Sequence, residues 1–101
     1  PLMVFPVKKY RVIGKSMEPT FRDGDFVLAS DLIYKFSRPK KGQIVVVFHP
    51  VNGIQIIKRI TDVKNDSYFL EGDNASWSSN SNDFGWFERN KIRGRVIYRL
   101  S

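Results

Sequence analysis

Residues 43–62 read QIVVVFHPVNGIQIIKRITD, and this stretch decides the architecture of the chain. Its first part is a nearly continuous apolar run, which predicts a strand over residues 43–48 that is covered on both faces. Asn52 and Gly53 follow, and this pair is a strong signal for a two-residue hairpin turn. The chain then returns as a second strand over residues 54–62. The stretch therefore predicts an antiparallel hairpin.

Extended runs lie on both sides of this hairpin. Further strands are predicted at residues 8–13, 25–30, 68–70 and 92–100, with a tight turn at 22–25 and a helical turn at 31–36. Residues 71–85 form a long polar loop rich in Ser and Asn, and a loop of that size in a compact domain is typical of a functional or mobile segment. We therefore expect one mostly β domain over residues 1–101, either a small antiparallel β-barrel or a folded sheet.

Composition narrows the classes of function. The chain has 101 residues, no cysteine and one histidine, so it has no thiolate metal site, and His49 cannot build a zinc site alone. We expect no cofactor and no metal. The net charge of +7 attracts polyanions, but the basic residues are spread along the chain, which favours a solvated surface over a nucleic-acid face.

No segment reaches the roughly 20 apolar residues that a membrane-spanning helix needs. The opening PLMVFPV is apolar, but it is short and contains two prolines. We expect a membrane-associated protein if an N-terminal anchor precedes this sequence, and a cytoplasmic protein otherwise.

Lys58 occupies an unusual position in the return strand. Alternate side chains of a strand share a face, so Lys58 shares one with Ile54, Ile56 and Ile60. A buried amine tends to lose its proton, which would make Lys58 a base at neutral pH. The alternative is a lysine whose stem lies along the core while its amine reaches water at the sheet edge.

Ser16 lies between two predicted strands, in GKSMEPT at residues 14–20. The serine could simply cap a turn. The setting also suits a nucleophile, because Gly14 allows close backbone approach and turn N–H groups can bind an oxyanion. Such a serine needs a base. His49 stands before a proline at a strand end and reads as a surface residue, which leaves a Ser–Lys pair as the other arrangement.

The ordered segments of the chain resemble those of type I signal peptidases. GKSMEPTFRDGDFVL, at residues 14–28, is similar to the segment that carries the nucleophile. PKKGQIVVVFHP and IQIIKRI resemble the next two boxes, and EGDNASWSSNSNDFG with IRGRVIYRL resembles the last one. The resemblance covers almost the whole chain with the boxes in the family's order, which makes it more specific than any single motif.

The resemblance implies a role for each matching residue. Ser16 would attack the scissile carbonyl, Lys58 would be the general base, and Ser78 would hydrogen-bond and orient the lysine. The Ser16 backbone N–H would contribute to the oxyanion hole. Structural support of the site is implied for Gly14, Gly72, Asp73, Asn74 and Ser81. One departure is that Asn80-Ser81-Asn82 stands where the family usually has Asp-Ser-Arg, which leaves the loop less constrained.

The resemblance also implies the kind of substrate. Family members bind a precursor polypeptide as an added strand and prefer small residues one and three positions before the cut, which a shallow apolar pocket achieves by excluding larger side chains. The residues expected to line that pocket are Val12, Ile13, Met17, Phe21, Ile56 and Ile57. An anionic membrane surface is expected as a second partner, and nucleic acid is not expected.

Three other functions remain as alternatives. The first is a soluble relative that trims a cytoplasmic precursor, such as the maturation protease of nickel superoxide dismutases. The second is a basic OB-like domain that binds nucleic acid through its aromatic side chains. The third is the self-cleaving domain of SOS-type repressors, for which the chain lacks a DNA-binding segment. The hypothesis of an OB-like domain does not explain why Lys58 lies on an apolar strand face.

Overall fold

The computed structural model describes residues 6–74, 76 and 85–100 of the chain. Seven strands, one short α-helix and one 3₁₀ helix lie in this described part. Their bounds are β1 Lys8–Arg11, β2 Phe26–Ser30, α1 Ile33–Phe36, β3 Ile44–Phe48, β4 Gln55–Lys64, β5 Ser67–Glu71, β6 Phe87–Glu88, the 3₁₀ helix Arg89–Lys91 and β7 Ile92–Arg99.

All seven strands belong to one antiparallel sheet in the order β1-β2-β7-β3-β4-β5-β6. The last strand, β7, inserts between β2 and β3 and so joins the N-terminal strands to the central hairpin. The sheet is open, with β1 and β6 at its two edges in the described part. The prediction of a mostly β, antiparallel folded sheet is confirmed.

The core consists of two apolar clusters, which lie on opposite faces of β3. Val45 and Val47 belong to the first cluster, and Val46, between them, belongs to the second. All three side chains are fully buried. Because successive side chains of a strand point to opposite faces, both faces of β3 are covered, as the unbroken apolar run predicts.

The hairpin between β3 and β4 differs from the two-residue turn expected for Asn52 and Gly53. His49 N–H donates to the Ile54 carbonyl (2.7 Å) and Gly53 N–H donates to the His49 carbonyl (2.9 Å), so the loop comprises residues 50–53. Type I′ turns need positive φ at both central residues, whereas only Gly53 has it here (φ 73°).

Strand positions agree with the sequence pattern, and strand ends account for most differences. β1 ends at Arg11 rather than at residue 13. Val12 N–H still donates to Asp25, the next residue of the pairing, but the Val12 carbonyl accepts from Gly24, which breaks the regular ladder. β4 runs to Lys64, past the expected end at residue 62. The short strand β6 was not expected, since a strand of two residues has no periodic signal. Most of the polar loop expected at 71–85 lies outside the described residues.

Candidate active site

The segment that carries Ser16 is a loop held at both ends by backbone hydrogen bonds. Val12 N–H donates to the Asp25 carbonyl, and Gly24 N–H donates to the Val12 carbonyl, both at 2.7 Å. Inside the loop, Phe21 N–H donates to the Met17 carbonyl (2.9 Å) and closes a helical turn directly after Ser16. The backbone around the serine is therefore fixed by its own hydrogen bonds.

Met17 anchors this loop in the protein. Its side chain is only 1% exposed and packs in the second apolar cluster, together with Val12 and Phe21. Ser16 is half-buried beside it. The neighbouring Gly14 has φ +83°, a conformation that L side chains rarely adopt, and its N–H donates to the Asp23 carboxylate (2.8 Å). Gly14 thus has a backbone role in shaping the turn before the serine.

Lys58 lies near the middle of β4 and is 5% exposed, so almost none of its side chain meets water. It stands opposite Val45 in the β3–β4 pairing. Its alternate neighbours Ile56 and Ile60 both pack in or against the first cluster. The alternative, in which the amine of Lys58 reaches water at the sheet edge, does not agree with the structure, because the whole side chain is withdrawn from solvent.

Ser16 and Lys58 border the same cavity, which has a volume of about 110 Å³. Five residues expected at the substrate pocket border it too, namely Val12, Ile13, Met17, Ile56 and Ile57. Phe21 does not border the cavity, since its side chain is buried in the second cluster. Arg11, Ile54 and Gln55 complete the lining, and the sequence pattern did not single them out.

An ion pair ties the strand of Lys58 to the segment after β5. Arg59 donates from Nε to Asp73 Oδ1 and from Nη2 to Asp73 Oδ2, both at 2.8 Å. Thr20, in the serine loop, donates its hydroxyl to Asp73 Oδ2. The hydrogen bonds from Arg59 are the main cause that lowers the pKa of Asp73, and the bond from Thr20 acts in the same direction against the effect of burial.

Asp73 thus joins the serine loop to the lysine strand without bordering the cavity. This placement fits the structural role that the resemblance implies. The sequence pattern did not single out Arg59 and Thr20. Arg59 follows Lys58 on β4 and therefore points to the opposite face, where the local pattern gives no sign of a partner.

Asn74 holds the backbone of the serine loop directly. Its N–H donates to the Ser16 carbonyl (2.8 Å), and its side-chain Nδ2 donates to the Lys15 carbonyl (3.1 Å). Gly72 precedes this pair of bonds and links it to the end of β5. The remaining residues expected at the site, Ser78 and Ser81, lie outside the described residues.

His49 lies at a different cavity. It borders a space of about 370 Å³ with Phe48, Trp86 and Arg93, and Ser16 is not among the residues around it. Its Nδ1 accepts hydrogen bonds from the N–H groups of Val51 and Asn52 in the hairpin loop. Ser16 and His49 therefore do not border a common cavity. Among the described residues, no group of His, Asp and Glu side chains is suited to hold a metal ion.

Two unpaired strand edges face the cavity of Ser16 and Lys58. β4 pairs with β3 over Gln55–Arg59, but it pairs with β5 only from Arg59 onward, so residues 55–57 have one free edge in the described part of the chain. β1 pairs with β2 alone, again among the described residues. The cavity lies between Arg11, at the end of β1, and the free stretch of β4.

Comparisons with known proteins identify the family of the chain. A family model described as signal peptidase, peptidase S26, matches residues 2–63. Signal peptidase I of Aquifex aeolicus is 44% identical over 50% of this chain and 20% of its own length. Mitochondrial inner membrane protease subunit 1 of Xenopus tropicalis is 32% identical over 86% of this chain and 65% of its own. Signal peptidase IB of Staphylococcus aureus is 36% identical over 67% and 39%.

The fold and the site define a small sheet-rich domain in which a serine-bearing loop and a lysine-bearing strand border one cavity. The chain belongs to the signal peptidase family, peptidase S26, and the expected family is confirmed. It covers less than two thirds of the length of each of these three relatives. No helix among the described residues is long and apolar enough to cross a bilayer.

Proposed function

We propose that this chain is the catalytic domain of a serine endopeptidase that cuts leader peptides after small residues with a Ser16–Lys58 dyad. One observation carries the proposal: Ser16 and Lys58 border one small cavity, and Lys58 is almost completely withdrawn from water. A serine hydroxyl is a weak nucleophile that needs a base, and desolvation disfavours the charged form of an amine. The two residues therefore supply complementary parts of one reaction.

The proposed reaction has two stages. The neutral Lys58 amine takes the proton of the Ser16 hydroxyl while Ser16 Oγ forms a bond to the scissile carbonyl carbon. The carbon–nitrogen bond then breaks, and Lys58 gives that proton to the leaving amine. Water attacks the resulting ester with Lys58 again as the base, which releases the new carboxylate and restores Ser16. By resemblance to the family, Ser78 orients Lys58, and we expect Ser78→Ala to slow cleavage less than loss of either dyad residue.

The Ser16 backbone N–H is the proposed oxyanion donor. In a trans peptide the C=O and N–H groups point in opposite directions. The Lys15 carbonyl, in the same peptide unit, accepts from Asn74 Nδ2 (3.1 Å), so the Ser16 N–H points away from Asn74. Such a preorganised donor stabilises the developing negative charge. Gly14 stands where some relatives carry a second hydroxyl donor, so any second donor here would come from the backbone.

The proposed substrate is an extended precursor polypeptide that adds as a strand between β1 and β4. Both strands have free edges towards the cavity among the described residues, and backbone hydrogen bonds would provide most of the affinity. The cavity of about 110 Å³ is lined by Val12, Met17 and Ile57, which favours a small side chain next to the cut.

We propose that the domain works at an anionic membrane surface. Ile13 and Val51 are 71% and 85% exposed, and Ile54, which borders the cavity, is also exposed. Apolar side chains at this end of the molecule would enter the interface, and the net charge of +7 would be attracted to anionic lipid. Sedimentation with anionic and neutral vesicles tests this, and equal binding to both would contradict it.

The peptidase proposal is tested by incubating the protein with a leader peptide that ends in Ala-x-Ala before the cut. Mass spectrometry would show a single cut after the second alanine, and Ser16→Ala would abolish it. Ser37→Ala, which changes an exposed serine at the end of α1, is the matched control and should cleave like the wild type. Cleavage by Ser16→Ala at the wild-type rate would overturn the proposal.

Lys58→Met tests the second half of the dyad, because Met keeps an unbranched apolar stem and removes the amine. We expect cleavage to fall by about three orders of magnitude or more, as for other catalytic bases. Lys64→Met on the same strand is the control, since Lys64 is exposed and does not border the cavity. Both variants should keep the circular dichroism spectrum of a β protein.

A further inference from the structure

A second cavity continues the groove between β1 and β4 away from Ser16. Its volume is about 260 Å³, and it is bordered by Lys8 and Tyr10 of β1, Gln55 of β4, and Arg93 of β7. Gln55 also borders the cavity of Ser16 and Lys58. The two spaces therefore adjoin at Gln55, and an extended chain that lies along β4 could pass from one to the other.

Positive charge dominates this second cavity. Lys8 and Arg93 are both exposed, and neither forms an ion pair within the part of the chain that the structure describes. The guanidinium of Arg93 lies 5.2 Å from the centre of the Phe48 ring, and this stacking fixes its position. Asp31 is the one carboxylate on the border, so two cations stand against one anion.

Strand geometry gives the distance from this charge to the cut. Among the described residues, the free edge of β4 covers residues 55–57, because β5 occupies the edge from Arg59 onward. At about 3.3 Å per residue, Gln55 lies about 10 Å along the strand from Lys58. A substrate residue about three positions from the cut would lie beside Gln55. The residues about four to six positions from the cut would then lie beside Lys8 and Arg93.

Resting on the proposed peptidase function, we propose that this second cavity is a subsite for an acidic side chain of the substrate, about four to six residues before the cleaved bond. A carboxylate there would be attracted to Lys8 and to Arg93, and a lysine would be repelled by both. The subsite gives this domain a charge preference in addition to the preference for small residues at the cut.

The test compares leader peptides that differ only at the fifth residue before the cut, which is Glu, Gln or Lys. We expect kcat/KM to follow the order Glu, Gln, Lys, with about a five- to tenfold span, because each exposed charge pair contributes modestly. The difference in kcat/KM between the Glu and Lys peptides should shrink in high salt. It should result mainly from KM, since the charge is remote from the reacting bond. Equal kcat/KM for the three peptides would overturn the subsite.

Charge-reversal variants assign the preference to this cavity. The double variant Lys8→Glu with Arg93→Glu should invert the order of the three peptides. The matched control is Lys40→Glu with Lys41→Glu, which changes the net charge equally at exposed residues that border neither cavity. Asp31→Asn removes the carboxylate on the border of the cavity and should increase the difference in kcat/KM between the Glu and Lys peptides. A control that inverts the order as well would show general charge attraction and would overturn the subsite.

Binding separates this proposal from the peptidase proposal. Labelled versions of the three peptides are titrated with Ser16→Ala protein, and their dissociation constants are measured by fluorescence anisotropy. Tighter binding of the Glu peptide supports the subsite even if the wild type cleaves nothing, in which case only the peptidase proposal fails. A preference for Glu after the cut rather than before it would overturn the subsite as placed here.

Discussion

Lys58 combines a strongly polar group with a position that is 5% exposed. Burial withdraws most of this side chain from water, and desolvation disfavours the charged form of an amine. Strand alternation puts this lysine on the same face as Ile60, which belongs to the first cluster, and Ile56, which packs against it. The position of one residue within a β4 pattern thus accounts for its burial and, in the proposed reaction, for its basicity.

The pH dependence of cleavage follows from this proposed role. The base is active only when it carries no proton, so the rate should rise as the pH rises through the pKa of Lys58 and then level off. Initial rates of peptide cleavage between pH 5 and pH 10 would measure this. His49→Gln is the control and should leave the profile unchanged, because His49 borders a different cavity. A rate that does not change across this range would contradict a lysine base.

Asp73 is the second residue whose environment makes a measurable prediction. Its folded-state pKa lies below its unfolded value, chiefly because Arg59 donates two hydrogen bonds to it. Its stabilising contribution is therefore complete above the unfolded pKa of about 3.9 and is lost as the pH falls through the lower folded pKa. Asp73→Asn should lower the free energy of unfolding by about 1–3 kcal/mol at pH 7.

The difference in unfolding free energy between Asp73→Asn and the wild type should narrow as the pH falls below about 4, because Asp73 takes up a proton first in the unfolded chain and, at lower pH, in the folded protein. Urea unfolding at pH 7 and at pH 3 would measure it. Asp66→Asn is the matched control, since Asp66 pairs with Arg38 on the surface, where both side chains are about two thirds exposed. The unfolding free energy lost in Asp66→Asn should stay below about 1 kcal/mol. A loss for Asp73→Asn that is independent of pH would contradict the argument.

At the scale of elements, the segment after β5 connects two parts of the site that are distant in sequence. Asp73 bonds to Arg59 of β4 and to Thr20 of the serine loop, and Asn74 bonds to the carbonyls of Lys15 and Ser16. The loop and the strand are thereby held at a fixed separation. Fixed geometry of this kind contributes to rate, because small displacements of a nucleophile from its base are costly.

Asn74→Ala tests this connection. The substitution removes the side-chain bond to the Lys15 carbonyl and leaves the backbone bond to Ser16 intact. We expect kcat to fall by about three- to tenfold with little change in KM, and unfolding free energy to fall by about 0.5–1.5 kcal/mol. Tyr34→Phe removes one side-chain hydrogen bond, to Gln43, outside the site and should lower stability without lowering kcat.

At the scale of the whole molecule, the open sheet brings its first strand and its central hairpin to the two sides of one groove. Among the described strands, β1 is at one edge of the sheet and β4 lies four places away in the strand order. Residues from the end of β1 and from β4 nevertheless border the same cavity. The second cluster lies beneath this groove, because Val12, Met17 and Ile57 belong to it and also border the cavity. The fold therefore provides both the walls and the floor of the site.

Strand addition in this groove predicts a sensitivity to substrate backbone methylation. An N-methyl group on the amide of a residue two or three positions before the cut removes a hydrogen-bond donor and adds bulk between the strands. We expect kcat/KM to fall by about tenfold or more at one of these positions. N-methylation about ten residues before the cut is the control. Equal cleavage of all the peptides would contradict binding as an added strand.

The sequence by itself determined the features that depend on local pattern. The apolar run of β3 required cover on both faces, and the alternation along β4 placed Lys58 on the face of Ile56 and Ile60. The order of the sequence boxes identified the family, which the family model and the relatives confirm. The strand features agree with the structure because the direction of a side chain in a strand follows from its position alone.

Only the tertiary structure decided which distant residues meet. Thr20 and Asp73 are 53 positions apart, and Arg59 and Asp73 are 14 apart, so no local period links them. Phe21 lies in the core rather than at the cavity, and the groove between β1 and β4 depends on how the whole sheet places its strands. Such contacts depend on how all the strands and both apolar clusters pack together, and a local sequence pattern contains no information about that packing.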